Sequence, residues 1–79
     1  MPVRTVELLA REGCHLCDDA RRLVARVTAE AGMGFTEIDV DTDPGLRAEF
    51  GDLVPVVRVD GKELGYWRID EAKLRRALS

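Results

Sequence analysis

Apolar and polar positions along the chain change period several times, and each change marks an element. Over residues 3–10, Val6, Leu8 and Ala10 share one face, while Val3, Glu7 and Leu9 break the alternation. A run so poor in charge suits a central strand covered on both faces, with Pro2 at its start. Arg11-Glu12-Gly13 then forms a loop. Over 14–31, Leu16, Ala20, Leu23, Val24, Val27 and Ala31 recur at spacings of three and four, which predicts an amphipathic helix. Asp18, Asp19, Arg21, Arg22, Arg26 and Glu30 take its other side, where Asp18–Arg22 and Arg26–Glu30 are expected as i,i+4 pairs. Gly32 and Gly34 stop the helix.

A second strand is predicted over 35–40, with Ile38 and Val40 inward. Asp43 and Pro44 announce a short helix, as N-cap and first helical residue. Leu46 and Phe50 share a face of it and Gly51 closes it, in the manner of a glycine cap. Residues 54–59 are β-branched almost throughout and read as a third strand. Asp60-Gly61 signals a tight hairpin turn into a fourth strand over Lys62–Tyr66. Asp70 caps the last helix, with Ile69 and Leu74 as its hydrophobic staple. Ala77 and Leu78 join Leu74 on the inward face, and Arg75 and Arg76 sit where a helix C-terminus favours cations. The order β-α-β-α-β-β-α predicts an α/β domain with a parallel first crossover and an antiparallel final hairpin.

Composition narrows the class. A chain of 79 residues, 1–79, is read as a single domain with a small core. Its net charge of −3 argues against nucleic acid or an anionic membrane as partner. Arg4 and Glu7 interrupt the N-terminal run, so no signal peptide is read there, and no stretch is long enough to span a membrane. A cytoplasmic location is expected. There, a pair of cysteines points to catalysis or metal rather than to a structural staple.

The candidate chemistry lies in Gly13-Cys14-His15-Leu16-Cys17-Asp18-Asp19, between the first strand and the first helix. It holds both cysteines and the only histidine of the chain. With this motif, the Ile38-Asp39-Val40-Asp41 stretch and Val54-Pro55-Val56 at the head of the hairpin, the chain resembles the glutaredoxin-like proteins of the thioredoxin fold. The resemblance covers essentially the whole chain. It implies a thioredoxin-like four-stranded mixed sheet with helices on both faces. It implies a cis bond before Pro55, the proline facing the cysteines, and a Val54 backbone that pairs with an extended peptide. It also implies dithiol–disulfide exchange on a protein disulfide or a glutathione mixed disulfide, with no cofactor required. The chain departs from the family in several places. His15 and Leu16 stand where glutaredoxins carry Pro and Tyr. Arg11 replaces a Lys, and Gly65-Tyr66-Trp67-Arg68 replaces the glycine pair and acidic residues that hold glutathione. These departures count against a glutathione site.

Residues one helical turn apart have Cβ atoms about 5–6 Å apart. A disulfide needs about 3.5–4.5 Å, a small adjustment. Cys14, at the helix mouth, is expected to be exposed and to attack as thiolate; Cys17, one turn in, is expected to be buried and to resolve the mixed disulfide. The helix N-terminus and Arg11 favour the thiolate, and Asp18 and Asp19 oppose it through solvent. His15 either supports the thiolate as imidazolium or is a solvated loop residue. Arg11, His15, Leu16, Val54 and Pro55 are the expected substrate-binding residues. Tyr66 and Trp67 read first as core or strand-end packing, with substrate contact as the alternative. A structural zinc site wants four ligands, more than this motif supplies. Asp39, Asp41 and Asp43 fit alternate strand positions and an N-cap rather than a calcium loop. A monomer is expected. The alternatives are a non-catalytic binding module or an iron–sulfur cluster carrier that bridges two chains.

Overall fold

Leu8 and Leu9 are neighbours in the chain and both are fully buried, so the first strand has a core on each of its faces. The computed structural model describes residues 4–79. Pro2 and Val3, assigned above to the start of the first strand, lie outside the described residues. In chain order the elements are β1 (Val6–Ala10), α1 (His15–Glu30), β2 (Thr36–Asp39), a 3-10 turn (Val40–Thr42), α2 (Pro44–Phe50), β3 (Val56–Val59), β4 (Lys62–Tyr66) and α3 (Glu71–Leu78).

The strands form one sheet in the order β2-β1-β3-β4. β1 runs parallel to β2 and antiparallel to β3, and β3 runs antiparallel to β4. On one face, Val6, Leu8 and Ala10 of β1 and Val57 and Val59 of β3 pack against Val24 and Val27 of α1 and Leu74 of α3. On the other, Leu9 and Val56 meet Val40 and Phe50. The expected mixed sheet with helices on both faces is therefore present. Each large apolar side chain buried this way contributes about 1.5–3 kcal/mol.

Local signals explain the joints. Asp60 and Gly61 have φ of 53° and 82°, the paired positive angles that a two-residue hairpin turn demands. Asp43 caps α2 by accepting the N–H groups of Gly45 and Leu46, with Pro44 as the first helical residue. Asp70 accepts the Lys73 N–H at 3.2 Å and caps α3. Ile69 and Leu74 share one core cluster, as the staple requires.

Several expectations are corrected. β3 begins at Val56 rather than Val54: Pro55, joined to Val54 by a cis bond, has no N–H to give a ladder. β2 ends at Asp39, and Val40 is buried from the 3-10 turn instead. Gly51 closes α2 in right-handed geometry, φ −54° and ψ −35°, not as a left-handed cap. Its reason is space: a Cβ there would lie 2.5 Å from the Arg47 carbonyl oxygen. The anticipated i,i+4 pairs give way to others. Asp18 meets Arg21 at 2.7 Å and Asp19 meets Arg22 at 3.0 Å. Arg21 also reaches Glu37 at 2.6 Å, which holds that carboxyl below its ordinary range. Arg26 pairs with Glu71, and Arg75 bridges Glu30 at 2.6 Å and Glu71 at 2.9 Å. The charged face of α1 is thus paired within itself at i,i+3 spacing and tied outward to β2 and α3. Among the described residues, no helix is long and apolar enough to cross a membrane.

Candidate active site at the mouth of the first helix

Gly13 takes a φ of 78°, which turns the loop after β1 into the helix axis. Cys14 follows in extended conformation, φ −96° and ψ 117°, and is the N-cap of α1. Its sulfur accepts the backbone N–H of Cys17 at 3.2 Å. Its carbonyl accepts the N–H of Asp18 at 3.2 Å. The first helical turn leaves orphan N–H donors, and the Cys14 sulfur satisfies one of them. Cys14 is half-buried and Cys17 is fully buried, and neither is in a disulfide.

The environment separates the two thiols. Burial, most of all, pushes the Cys17 thiol up to about 11, and hydrogen bonding to Cys14 and that residue's charge add to it. A backbone hydrogen bond from Arg11 and the charge of Arg21 partly offset this. Cys17 is therefore protonated near neutrality.

The register of β1 and β3 decides what faces the pair. Leu9 lies opposite Val56 in antiparallel pairing, so continuing past the strand ends carries the loop before β3 alongside the loop after β1. Pro55 is buried, and Val54 packs at the rim of the cluster that contains Cys17 and is flanked by Cys14. The Val54 N–H is already donated to the Phe50 carbonyl at 3.1 Å. Among the described residues its carbonyl accepts no hydrogen bond, so it offers a peptide an acceptor only.

The remaining expected residues divide. His15 is exposed at the first position of α1 and makes no side-chain hydrogen bond among the described residues. The Arg11 guanidinium is held by Asp41 at 3.1 Å and the Gly51 carbonyl at 3.4 Å, so its charge is directed at the α2 side. Leu16 is half-buried and lines a groove of about 160 Å³ with Ala20, Leu23, Trp67, Arg68 and Ile69.

Trp67 was not among the site residues the sequence suggested. It is 52% exposed, and Tyr66 beside it is 50% exposed, so the pair is not core packing. Their rings meet edge to face at 5.2 Å. Trp67 has a φ of 64°, uncommon for a bulky side chain. Its backbone N–H donates to the Pro55 carbonyl at 2.9 Å and reaches that of Leu53 at 3.4 Å. Its indole N–H donates to the Asp52 carbonyl at 3.0 Å. The one available signal was that Tyr66 ends the fourth strand and Trp67 starts the short connection to the Asp70 cap.

Comparison with known proteins agrees with this geometry. Residues 5–79 match the model of the Glutaredoxin-like domain (DUF836). A Mycobacterium tuberculosis protein named as uncharacterized is 48% identical over 75 residues, covering 89% of this chain and 77% of its own. The crystal structure of a structural-genomics target from X. campestris superposes with a TM-score of 0.77 at 36% identity, covering 94% of this chain and 95% of that one. A solution structure from Nitrosomonas europaea gives a TM-score of 0.85 at 26% identity over 100% of this chain and 95% of that one. A thioredoxin of Halobacterium salinarum shares the fold, with a TM-score of 0.69 at 20% identity over 95% of this chain and 71% of its own.

Proposed function

Because this chain belongs to the glutaredoxin-like domain family, we propose that it is a thiol–disulfide oxidoreductase that works through Cys14 and Cys17. One observation carries the reading: the sulfur of Cys14 caps the helix in whose first turn the second thiol is buried.

The steps follow from that arrangement. Cys14 loses its proton to solvent and attacks one sulfur of a substrate disulfide. A bond forms from the Cys14 sulfur as the substrate S–S bond breaks, and one substrate sulfur leaves as thiolate. The Cys14 charge is now gone, and with it two of the influences that hold the proton on Cys17. Cys17 yields that proton to the departed thiolate and attacks the Cys14 sulfur. The second substrate sulfur leaves and takes a proton from solvent. The protein ends with a Cys14–Cys17 disulfide and the substrate with two thiols, a transfer of two electrons. Two external thiols, which end joined in a disulfide, reverse the sequence and reset the protein. The raised Cys17 thiol supports this order of events, since it stays silent until the mixed disulfide forms.

The substrate class we favour is a protein disulfide. The free Val54 carbonyl suits a donor N–H of an extended chain. A reducing cytoplasm would keep the resting protein in its dithiol form. The test is equilibration with a series of glutathione redox buffers, followed by mass spectrometry. A change of about two daltons between forms, absent in Cys14→Ser, is expected for a reversible dithiol couple. No interconversion at any buffer ratio would refute the reading.

A further inference from the structure

We propose that Trp67 is a positioning residue for substrate: it latches the loop over 52–55 in place beside the thiol pair. The inference rests on the exchange reading above. Trp67 puts its N–H groups on carbonyls of Asp52, Leu53 and Pro55, in the segment that leads into and includes the cis bond. The backbone bonds continue the β3–β4 ladder past Val56 and Tyr66, and the indole bond to Asp52 is the one that depends on the side chain. The residue that makes them sits at a φ of 64°, where glycine is the usual choice. A tryptophan held there, half in solvent, is an outlier that asks for a use beyond packing.

The placement supplies one. Trp67 lines the same groove of about 160 Å³ as Leu16, the residue just before the resolving thiol. Its other contacts run to the loop that carries the Val54 carbonyl. Trp67 therefore joins the groove that Leu16 lines to the loop before β3. Buried Pro55 and the packing of Leu53 and Val54 hold this loop to the core, and the indole bond adds a hold at its Asp52 end. Leu53 and Val54 both donate to the Phe50 carbonyl, which anchors them to the end of α2. Without the latch, the Val54 carbonyl loses one hold on its position relative to the Cys14 sulfur. The chemistry of Cys14 itself is untouched, because its cap is made within α1.

The test uses the full chain with a disulfide-linked peptide as substrate and iodoacetamide as a small probe of Cys14. Trp67→Phe keeps a ring and removes the indole donor. It is expected to raise KM for the peptide about tenfold, near the effect of one lost hydrogen bond, with kcat retained. Its Cys14 alkylation rate is expected to match wild type, and amide exchange at Leu53 and Val54 to quicken. Trp67→Gly, which suits the backbone angle, serves if the phenylalanine variant does not fold, with the same expected result. Unchanged KM and amide exchange overturn the latch while wild-type turnover leaves the exchange reading standing. Equal losses in kcat and alkylation also overturn it, as general damage. A wild-type protein without turnover overturns both.

Discussion

The sulfur of Cys14 accepts the backbone N–H of Cys17 at 3.2 Å, so the proposed nucleophile also caps the helix that buries its partner. Structure and chemistry share one atom. A thiolate strengthens the cap, and a mixed disulfide or the internal disulfide must weaken it, since a neutral sulfur is the poorer acceptor.

The shared atom can be taken apart by mutation. Serine is among the best N-caps and alanine among the poorest. Cys14→Ser is expected to abolish exchange while leaving stability near that of the reduced protein. Cys14→Ala is expected to abolish exchange and also to lower stability by about 0.5–2 kcal/mol. Urea denaturation under reducing conditions distinguishes them. Equal stability of the two variants would show that the cap is not holding α1.

Cys17 gives the protein a dependence on alkaline pH. Its thiol rises from 9.0 to about 11 on folding, so between those values the folded state holds a proton that the unfolded chain has released. The folded state binds more protons in that window, so stability falls as pH rises through it and the contribution is complete below it. Denaturation midpoints of the reduced protein are expected to drop between pH 9.0 and about 11, and Cys17→Ala to flatten that drop. A slope that survives the substitution would assign the effect to other groups.

Gly51 links α2 to the loop beside the thiols, and a Cβ on it would lie 2.5 Å from the Arg47 carbonyl oxygen. Backbone cannot retreat as a flexible side chain can. Gly51→Ala is expected to cost about 1–3 kcal/mol, the range for overpacked sites. It is also expected to reduce peptide turnover, because the shift propagates into 52–55. Thermal unfolding and kinetics on the same sample check both; wild-type stability would mean that the helix end absorbs the methyl group.

Glu7 and Arg58 form a half-buried pair at 3.2 Å, opposite each other on β1 and β3. The Arg58 Nε is buried without a hydrogen-bond partner, and the guanidinium lies 5.8 Å from the centre of the Phe50 ring. Removing one partner leaves the other charge stranded, whereas replacing both with apolar residues is often neutral. Arg58→Met alone is expected to destabilise by about 1–3 kcal/mol, and Glu7→Val with Arg58→Met to recover most of that. A double-mutant cycle in urea measures it. Additive losses would show no coupling between the two.

The elements that the sequence made legible are those written in local chemistry. Asp43-Pro44, Asp60-Gly61 and Asp70 each carry their own instruction, and each does in the fold what its residue type dictates. The periodic stripe over 14–31 identified α1 because nothing else could bury it. What stayed hidden depends on neighbours distant in the chain. Arg75 finds Glu30 across 45 positions and Arg21 finds Glu37 across 16. Local spacing favoured partners within one helix, and the fold supplied better-placed ones. Trp67 was hidden for the same reason. Its significance lies in which carbonyls it reaches, and only the return of the chain past the loop before β3 brings those within range.

The indole at the groove rim is the chain's single tryptophan. It is half in water and lines one groove with Leu16, so the molecule carries its own optical gauge. A bound polypeptide that dries this rim would move the emission toward the blue without any added dye. The same lamp, watched during a stopped-flow mix, would time arrival of substrate separately from the sulfur chemistry that follows.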